Sequence, residues 1–207
     1  MDAFAISPAT LTSLIVAVSF AAGLNVYATV CTLGILARLH WVVLPGQLGA
    51  LEHTWIIVAS AVLFAGEFFA DKIPGFDLVW NALHTFIRIP VAALIAWGAA
   101  SNLSPQEQML ATLLGGLVAF AAHGGKTAVR AVVTPSPEPL SNMGLSLGED
   151  VVSIALTWLA TRHPYVAGTI AAGLVLLIVL MVRWVWRALR SLFRGAAGAA
   201  GAYEYKP

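Results

Sequence analysis

The chain is short of charge. Its 207 residues include 11 Lys and Arg, 10 Asp and Glu, and so only 10% charged residues, against about 25% in an ordinary soluble domain. That supply cannot cover a water-facing surface, which excludes a soluble enzyme and a disordered chain. The net charge is only +1, so no nucleic-acid partner is implied. Cysteine is almost absent. The single Cys31 excludes an internal disulfide and a cysteine-based metal site. The five histidines form no HxxxH or HxxE pair, so a metal site has little support, and no cofactor motif is present.

Apolar sequence is plentiful. Hydrophobic residues are 59% of the chain, with 18 Gly and 10 Pro, both of which are more frequent in membrane helices than in soluble ones. The expected setting is therefore a lipid bilayer. The first ten residues carry Asp2 and no Lys or Arg, unlike a secretory signal. Leu14 to Ala37 then runs uncharged for 24 residues, long enough to cross a bilayer. Six spans are expected, at 11–38, 54–71, 79–100, 108–133, a short 148–162, and 164–190. Arg183, Arg187, Arg190 and Arg194 sit with Trp184 and Trp186 at the end of the last one. The positive-inside rule puts that end in the cytoplasm. An even span count puts the N-terminus there too, in a bacterial inner membrane. Trp55, Trp97 and Trp158 are expected to mark interfaces.

Shifting the chain by 100 residues aligns 12–28 with 112–128 at seven identical positions: Thr12, Leu14, Val18, Phe20, Ala21, Ala22 and Ala28. Convergent apolar composition is the competing explanation. A true repeat of three spans would be inverted in the membrane, as in many transporters. The expected fold is all-α, with six transmembrane helices in two inverted three-helix repeats containing broken or short helices. The units are 1–10 (leading segment), 11–104, 105–192, and a flexible cytoplasmic tail at 193–207. Both copies are expected to break, the first at Gly23-Leu24-Asn25 and the second at His123-Gly124-Gly125-Lys126. Either the glycines free the backbone there, or they let helices pack closely.

Ten of the 21 charges fall in 67–88 and 126–150. Glu67 and Asp71 share a helix face at i,i+4. In low dielectric such a pair resists joint ionisation and can carry a proton or bind a cation. Lys72, Pro74 and Gly75 follow, and Asp77 can cap the next helix. Asp77, Trp80, Asn81, His84 and Arg88 form a polar stripe at helical spacing, which must face the bundle interior or water. Arg88 can alternatively snorkel to an interface. Lys126 and Arg130 repel one another unless an anion or acid lies between them. Gly125-Lys126-Thr127 resembles the end of a phosphate-binding loop, but Phe120 stands where that loop needs glycine. A proline-rich stretch, 134–142, ends in Ser141 and Asn142. Glu149 and Asp150 open the fifth span, either to favour the helix dipole or to pair with Lys126 and Arg130.

Several of these segments resemble a bacterial family of small membrane proteins, domain of unknown function 4126. They are Ala22-Gly23-Leu24-Asn25-Val26-Tyr27-Ala28, the run Ala70-Asp71-Lys72-Ile73-Pro74-Gly75-Phe76-Asp77 with Trp80, then His84-Thr85-Phe86-Ile87-Arg88 and Pro90, and Lys126 with the later Ser141-Asn142. The resemblance covers about residues 10–190. It implies a multi-pass membrane protein and no established activity.

The expected function is a small transporter or channel for a small ionic solute, with a homodimer as a way to enclose the path. Its site residues would be Asn25, Glu67, Asp71, Lys72, Asp77, Trp80, His84, Arg88, Lys126, Arg130, Ser141, Asn142, Glu149 and Asp150. Two other classes stay open. One is a membrane enzyme acting on a lipid headgroup, with His84 and the carboxylates as acid–base groups. The other is a scaffold in which the charges are structural salt bridges.

Overall fold

A computed structural model of the chain describes residues 6–70, 76–133 and 139–204. It is all-helical, with no strand among the described residues. The elements are α1 (Pro8–Leu24), α2 (Val26–Arg38), a 3-10 helix (Gly46–Glu52), α3 (Thr54–Ala70), α4 (Phe76–Ala99), α5 (Pro105–Val133), α6 (Pro139–Arg162) and α7 (Pro164–Glu204). Four helices open on a proline, at Pro8, Pro105, Pro139 and Pro164, whose missing N–H costs nothing in a first turn. Ser7 Oγ accepts from Thr10 N at 3.1 Å and caps α1. Ser104 and Glu107 cap α5 reciprocally, Ser104 N donating to Glu107 Oε2 at 3.0 Å and Glu107 N to Ser104 Oγ at 3.4 Å.

Four helices contain stretches long and apolar enough to cross a membrane: Ala82–Ala99, Pro105–Arg130, Met143–Arg162 and Pro164–Arg187. The 3-10 helix and α3, bent at 74° to one another, make a fifth if taken as one span. The chain is thus a helical membrane protein. Its many exposed Leu, Val, Phe and Trp side chains belong against lipid, where apolar surface needs no cover. Trp55, Trp97 and Trp158 are all exposed. They lie near the start of α3, the end of α4 and the end of α6, which adjoin one end of the bundle. Trp184 and Trp186 lie 20 and 22 residues into α7, about 30 Å beyond that end, close to the thickness of a hydrocarbon core.

The first expected span is not one helix. It splits at Asn25, whose backbone is extended (φ −148°, ψ 103°). The pieces have 17 and 13 residues, about 26 and 20 Å, each short of a crossing. Their contacts also run in opposite senses. Ser13 of α1 meets Gly168, Ser19 meets Gly115, and Gly23 meets Ala119 and Ala122, so α1 runs parallel to α5 and α7. In α2, Tyr27 meets His84 while Asn25 and Thr29 meet Asp150 and Ser153 in turn, so it follows α4 and α6. Gly34 then meets Leu51 and Ile57, and Gly46 meets Gly98 and Ala99. The chain therefore turns back at Asn25, and α2 returns to the end where α1 began.

This geometry corrects several expectations. The aligned segments 12–24 and 112–124 run the same way, so they are not related by inversion. α5 is unbroken through Gly124 and Gly125. Gly125 instead lets Ile178 of α7 close in, since a Cβ there would lie 2.6 Å from Ile178 Cδ1. Gly23 has the same use, because its Cβ would sit 2.6 Å from the Ala119 carbonyl oxygen. The fifth span is not short, since α6 begins at Pro139, and Glu149 and Asp150 lie mid-helix rather than at its start. The start of α1 lies beside the start of α7, where Ser7 and Thr10 bond Tyr165 at 3.3 and 2.9 Å. The two described chain ends are consequently at opposite ends of the bundle.

Candidate functional site

α1 packs against α4, α5, α6 and α7. Its small residues, among them Ala17, Ala21, Ala22 and Gly23, are fully or almost fully buried. Around its C-terminal end the bundle turns polar. Arg88 of α4, Lys126 and Arg130 of α5, Glu67 of α3, and Glu149 and Asp150 of α6 are all buried, three cations against three acids. Arg88 and Glu149 lie 12 and 10 residues into their helices, about 18 and 15 Å along them. That is near mid-depth in a core about 30 Å thick. Charges at such depth persist only when paired.

The pairs form an alternating chain. Arg88 Nη2 donates to Glu67 Oε1. Lys126 Nζ lies 3.8 Å from the same oxygen and 3.1 Å from Glu149 Oε2. Arg130 grips Glu149 with a fork, Nη2 to Oε2 at 2.5 Å and Nε to Oε1 at 3.3 Å. Lys126 thus joins two Arg–Glu pairs from four helices. Its ammonium also donates to the Leu24 carbonyl at 3.0 Å. That carbonyl belongs to the last turn of α1, where intrahelical partners run out and the dipole is negative.

The break at Asn25 is satisfied from both sides. Asn25 Oδ1 accepts from Ala28 N at 2.9 Å, capping α2, while Nδ2 donates to Asp150 Oδ1 at 2.8 Å. Asp150 therefore sits at the positive end of α2. Ser153 Oγ lies 3.0 Å from Ala21 O, 3.1 Å from Asn25 O and 3.0 Å from Thr29 Oγ1. Thr29 Oγ1 also donates to Asn25 O at 2.9 Å. These contacts let the chain leave helical geometry inside an apolar bundle.

Two histidines flank the network. His123 Nδ1 lies 3.1 Å from Arg88 Nη1, and Nε2 lies 2.7 Å from Thr85 Oγ1. A guanidinium only donates, so Nδ1 accepts and the ring proton is on Nε2. His84 is oriented by its other nitrogen. Its Nδ1 donates to the Trp80 carbonyl at 2.8 Å, and Nε2 meets Tyr27 OH at 3.2 Å. The ring stacks on Trp80 at 4.4 Å between centroids.

The structure brings together Asn25, Glu67, Trp80, His84, Arg88, Lys126, Arg130, Glu149 and Asp150 from the expected site. Asp71 and Lys72 lie outside the described residues, and so the Glu67–Asp71 pair does too. Asp77, Ser141 and Asn142 lie in α4 and α6, with side chains outside the described ones. Sequence reasoning left out Tyr27, Thr29, Thr85, His123 and Ser153. A signal for one group existed. Ser146, Glu149, Asp150, Ser153 and Thr157 are all buried and repeat the 3, 4, 7 and 11 spacing of the stripe from Asp77 to Arg88. Among the described residues no group of three or more His, Cys, Asp or Glu is placed to hold a metal ion.

The model of a family described as Domain of unknown function (DUF4126) matches residues 12–184. No curated protein and no solved structure matches the chain.

Proposed function

The chain belongs to the family of domain of unknown function 4126, and we propose that it is a small transporter or channel whose site is the ion-pair chain at the tip of the α1–α2 turn. One observation carries this reading. Lys126 is shared by two acids and by the carbonyl that ends a broken helix at mid-depth. Broken helices whose ends meet ionisable groups near the midplane are where transporters hold solutes and coupling ions. The acid proposed for proton or cation coupling is Glu67 with Asp71, or Glu149 on the other side of Lys126. The reading also covers the residues whose side chains are not described: Asp71, Lys72, Asp77, Ser141 and Asn142. The unit boundary between 104 and 105 belongs to it as well. α4 packs on α5 and α7 packs on α1, so the last helix of each unit leans on the first helix of the other.

We place the protein in a bacterial inner membrane with its C-terminus in the cytoplasm, because Arg183, Arg187, Arg190 and Arg194 follow the apolar stretch of α7. The reversed path at Asn25 supports an N-terminus on the other face. A homodimer that encloses the path is proposed with this reading.

A scaffold is the second reading, favoured because Arg88, Glu67, Lys126, Glu149 and Arg130 all pair with one another. Cysteine substitution separates the two. With Cys31 replaced, cysteines at Glu67, His84 and Lys126 should react with a small aqueous thiol reagent if solutes reach the site. Three inert positions in a folded protein would leave the scaffold.

A further inference from the structure

Resting on the transport reading, we infer that Glu149 stands in for the solute: the site takes a small planar oxyanion, of carboxylate geometry, together with one proton. Lys126 Nζ and Arg130 Nη2 converge on one oxygen of Glu149, at 3.1 and 2.5 Å, while Arg130 Nε reaches the other at 3.3 Å. This is the forked geometry by which arginine recognises free carboxylates and oxyanions. The fork is built and held in place, and its present occupant is a side chain.

Glu149 is also the more exposed of the two acids that Lys126 bridges. Its side chain is 8% exposed, against 0% for Glu67. The charged groups around it are Lys126 and Arg130 of α5, Asp150 of α6, and, through Lys126, Glu67 of α3 with Arg88 of α4. α1 has no charged residue, and the only one in α2 is Arg38 at its far end. Asp150 is held by Asn25, and Glu67 by Arg88. Protonation of one Glu149 oxygen removes one negative charge from the balanced set. Lys126 and Arg130 then present one uncompensated positive charge, which a monovalent anion restores. The proton stays on Glu149 and the anion sits in the fork, so the loaded site has the same net charge as the empty one. A low-dielectric interior favours this over either ion alone.

The test uses the full chain in proteoliposomes with nitrate as probe. Nitrate is planar like a carboxylate and stays ionised, so it does not cross as the free acid. An inward nitrate gradient should drive proton uptake, read with a trapped pH-sensitive dye. The rate should fall as pH rises, by up to about tenfold per pH unit, because one proton enters with each anion. Glu149→Gln should uncouple the two, carrying nitrate without protons and with little pH dependence. Nitrate binding to detergent-solubilised Glu149→Gln, checked for monodispersity, should persist at alkaline pH where the native protein has lost it. Arg130→Gln should lose nitrate binding. Proton uptake that needs no nitrate, or that Glu149→Gln leaves coupled, overturns the inference. Protons moving with a potassium gradient and not with nitrate would refute the anion and keep the transport reading. Neither ion moving would refute both.

Discussion

Lys126→Met should destabilise the native protein, yet cost nothing or even stabilise a Glu67→Gln background. In the native network Lys126 lies 3.8 Å from Glu67 Oε1 and 3.1 Å from Glu149 Oε2. With an effective dielectric constant of about 20, those separations correspond to attractions of about 4 and 5 kcal/mol before desolvation. Both acids keep an arginine when Lys126 goes, Glu67 through Arg88 and Glu149 through Arg130. The direct loss is then the donor to Leu24 O, which costs about 1–3 kcal/mol when a buried carbonyl is left bare. Glu67→Gln changes the sum. One acid disappears, the attraction of about 4 kcal/mol goes with it, and Lys126 is left in a cluster with excess positive charge. Removing it then relieves repulsion. The expected coupling between the two positions is about 1–3 kcal/mol, within the range for contacting residues. Unfolding of the four solubilised proteins, followed by tryptophan fluorescence, gives the cycle. Additive losses, to within about 0.5 kcal/mol, would falsify the bridging role of Lys126.

Packing, capping and topology give three more checks. Gly23→Leu should cost about 1–3 kcal/mol by forcing α1 and α5 apart, because the added Cβ would lie 2.6 Å from a backbone oxygen. Gly124→Ala, with nothing within 4 Å of its Cβ, should hold or gain up to about 1 kcal/mol; equal losses in thermal unfolding would refute the packing account. Asn25→Ala should cost about 1–3 kcal/mol through the cap and the bond to Asp150. Asn25→Asp should be worse, since it faces the Asp150 carboxylate across the present 2.8 Å contact, and an aspartate variant as stable as the native protein would sink that geometry. Cysteines at Ser7 and Arg190, with Cys31 replaced, should be labelled from opposite faces of intact cells. Labelling of both from one face would overturn the reversal at Asn25.

Much of the site was legible as residue pattern. Lys126, Arg130, Glu149 and Asp150 stand out because charge is scarce elsewhere, and a charge deep in a bilayer must find its opposite. Their actual partners were not legible. Asp150 is bonded to Asn25, 125 residues away, while Glu149 takes both cations. Glycine was ambiguous for a physical reason. Lack of a Cβ permits both a bent backbone and a close neighbour, and only the surroundings choose. Gly23 and Gly125 serve close packing, and the break falls on Asn25, whose side chain can cap a new helix. The second polar stripe, from Ser146 to Thr157, was readable in the sequence, but its Ser and Thr look like ordinary helix-packing residues until partners are known.

Sequence alone determined that this chain lives in a membrane and that its helices follow its apolar runs. Too few charges to face water, and backbone groups that must bond internally in lipid, leave little else. Tertiary structure decided the direction of each helix and therefore the topology. Hydropathy measures how much apolar length is present, and 11–38 has enough for one crossing. It is blind to a single extended residue at Asn25 that sends α2 back along α4 and α6. That turn is tolerated because Lys126, Asp150 and Ser153, all distant in sequence, occupy the polar groups it exposes.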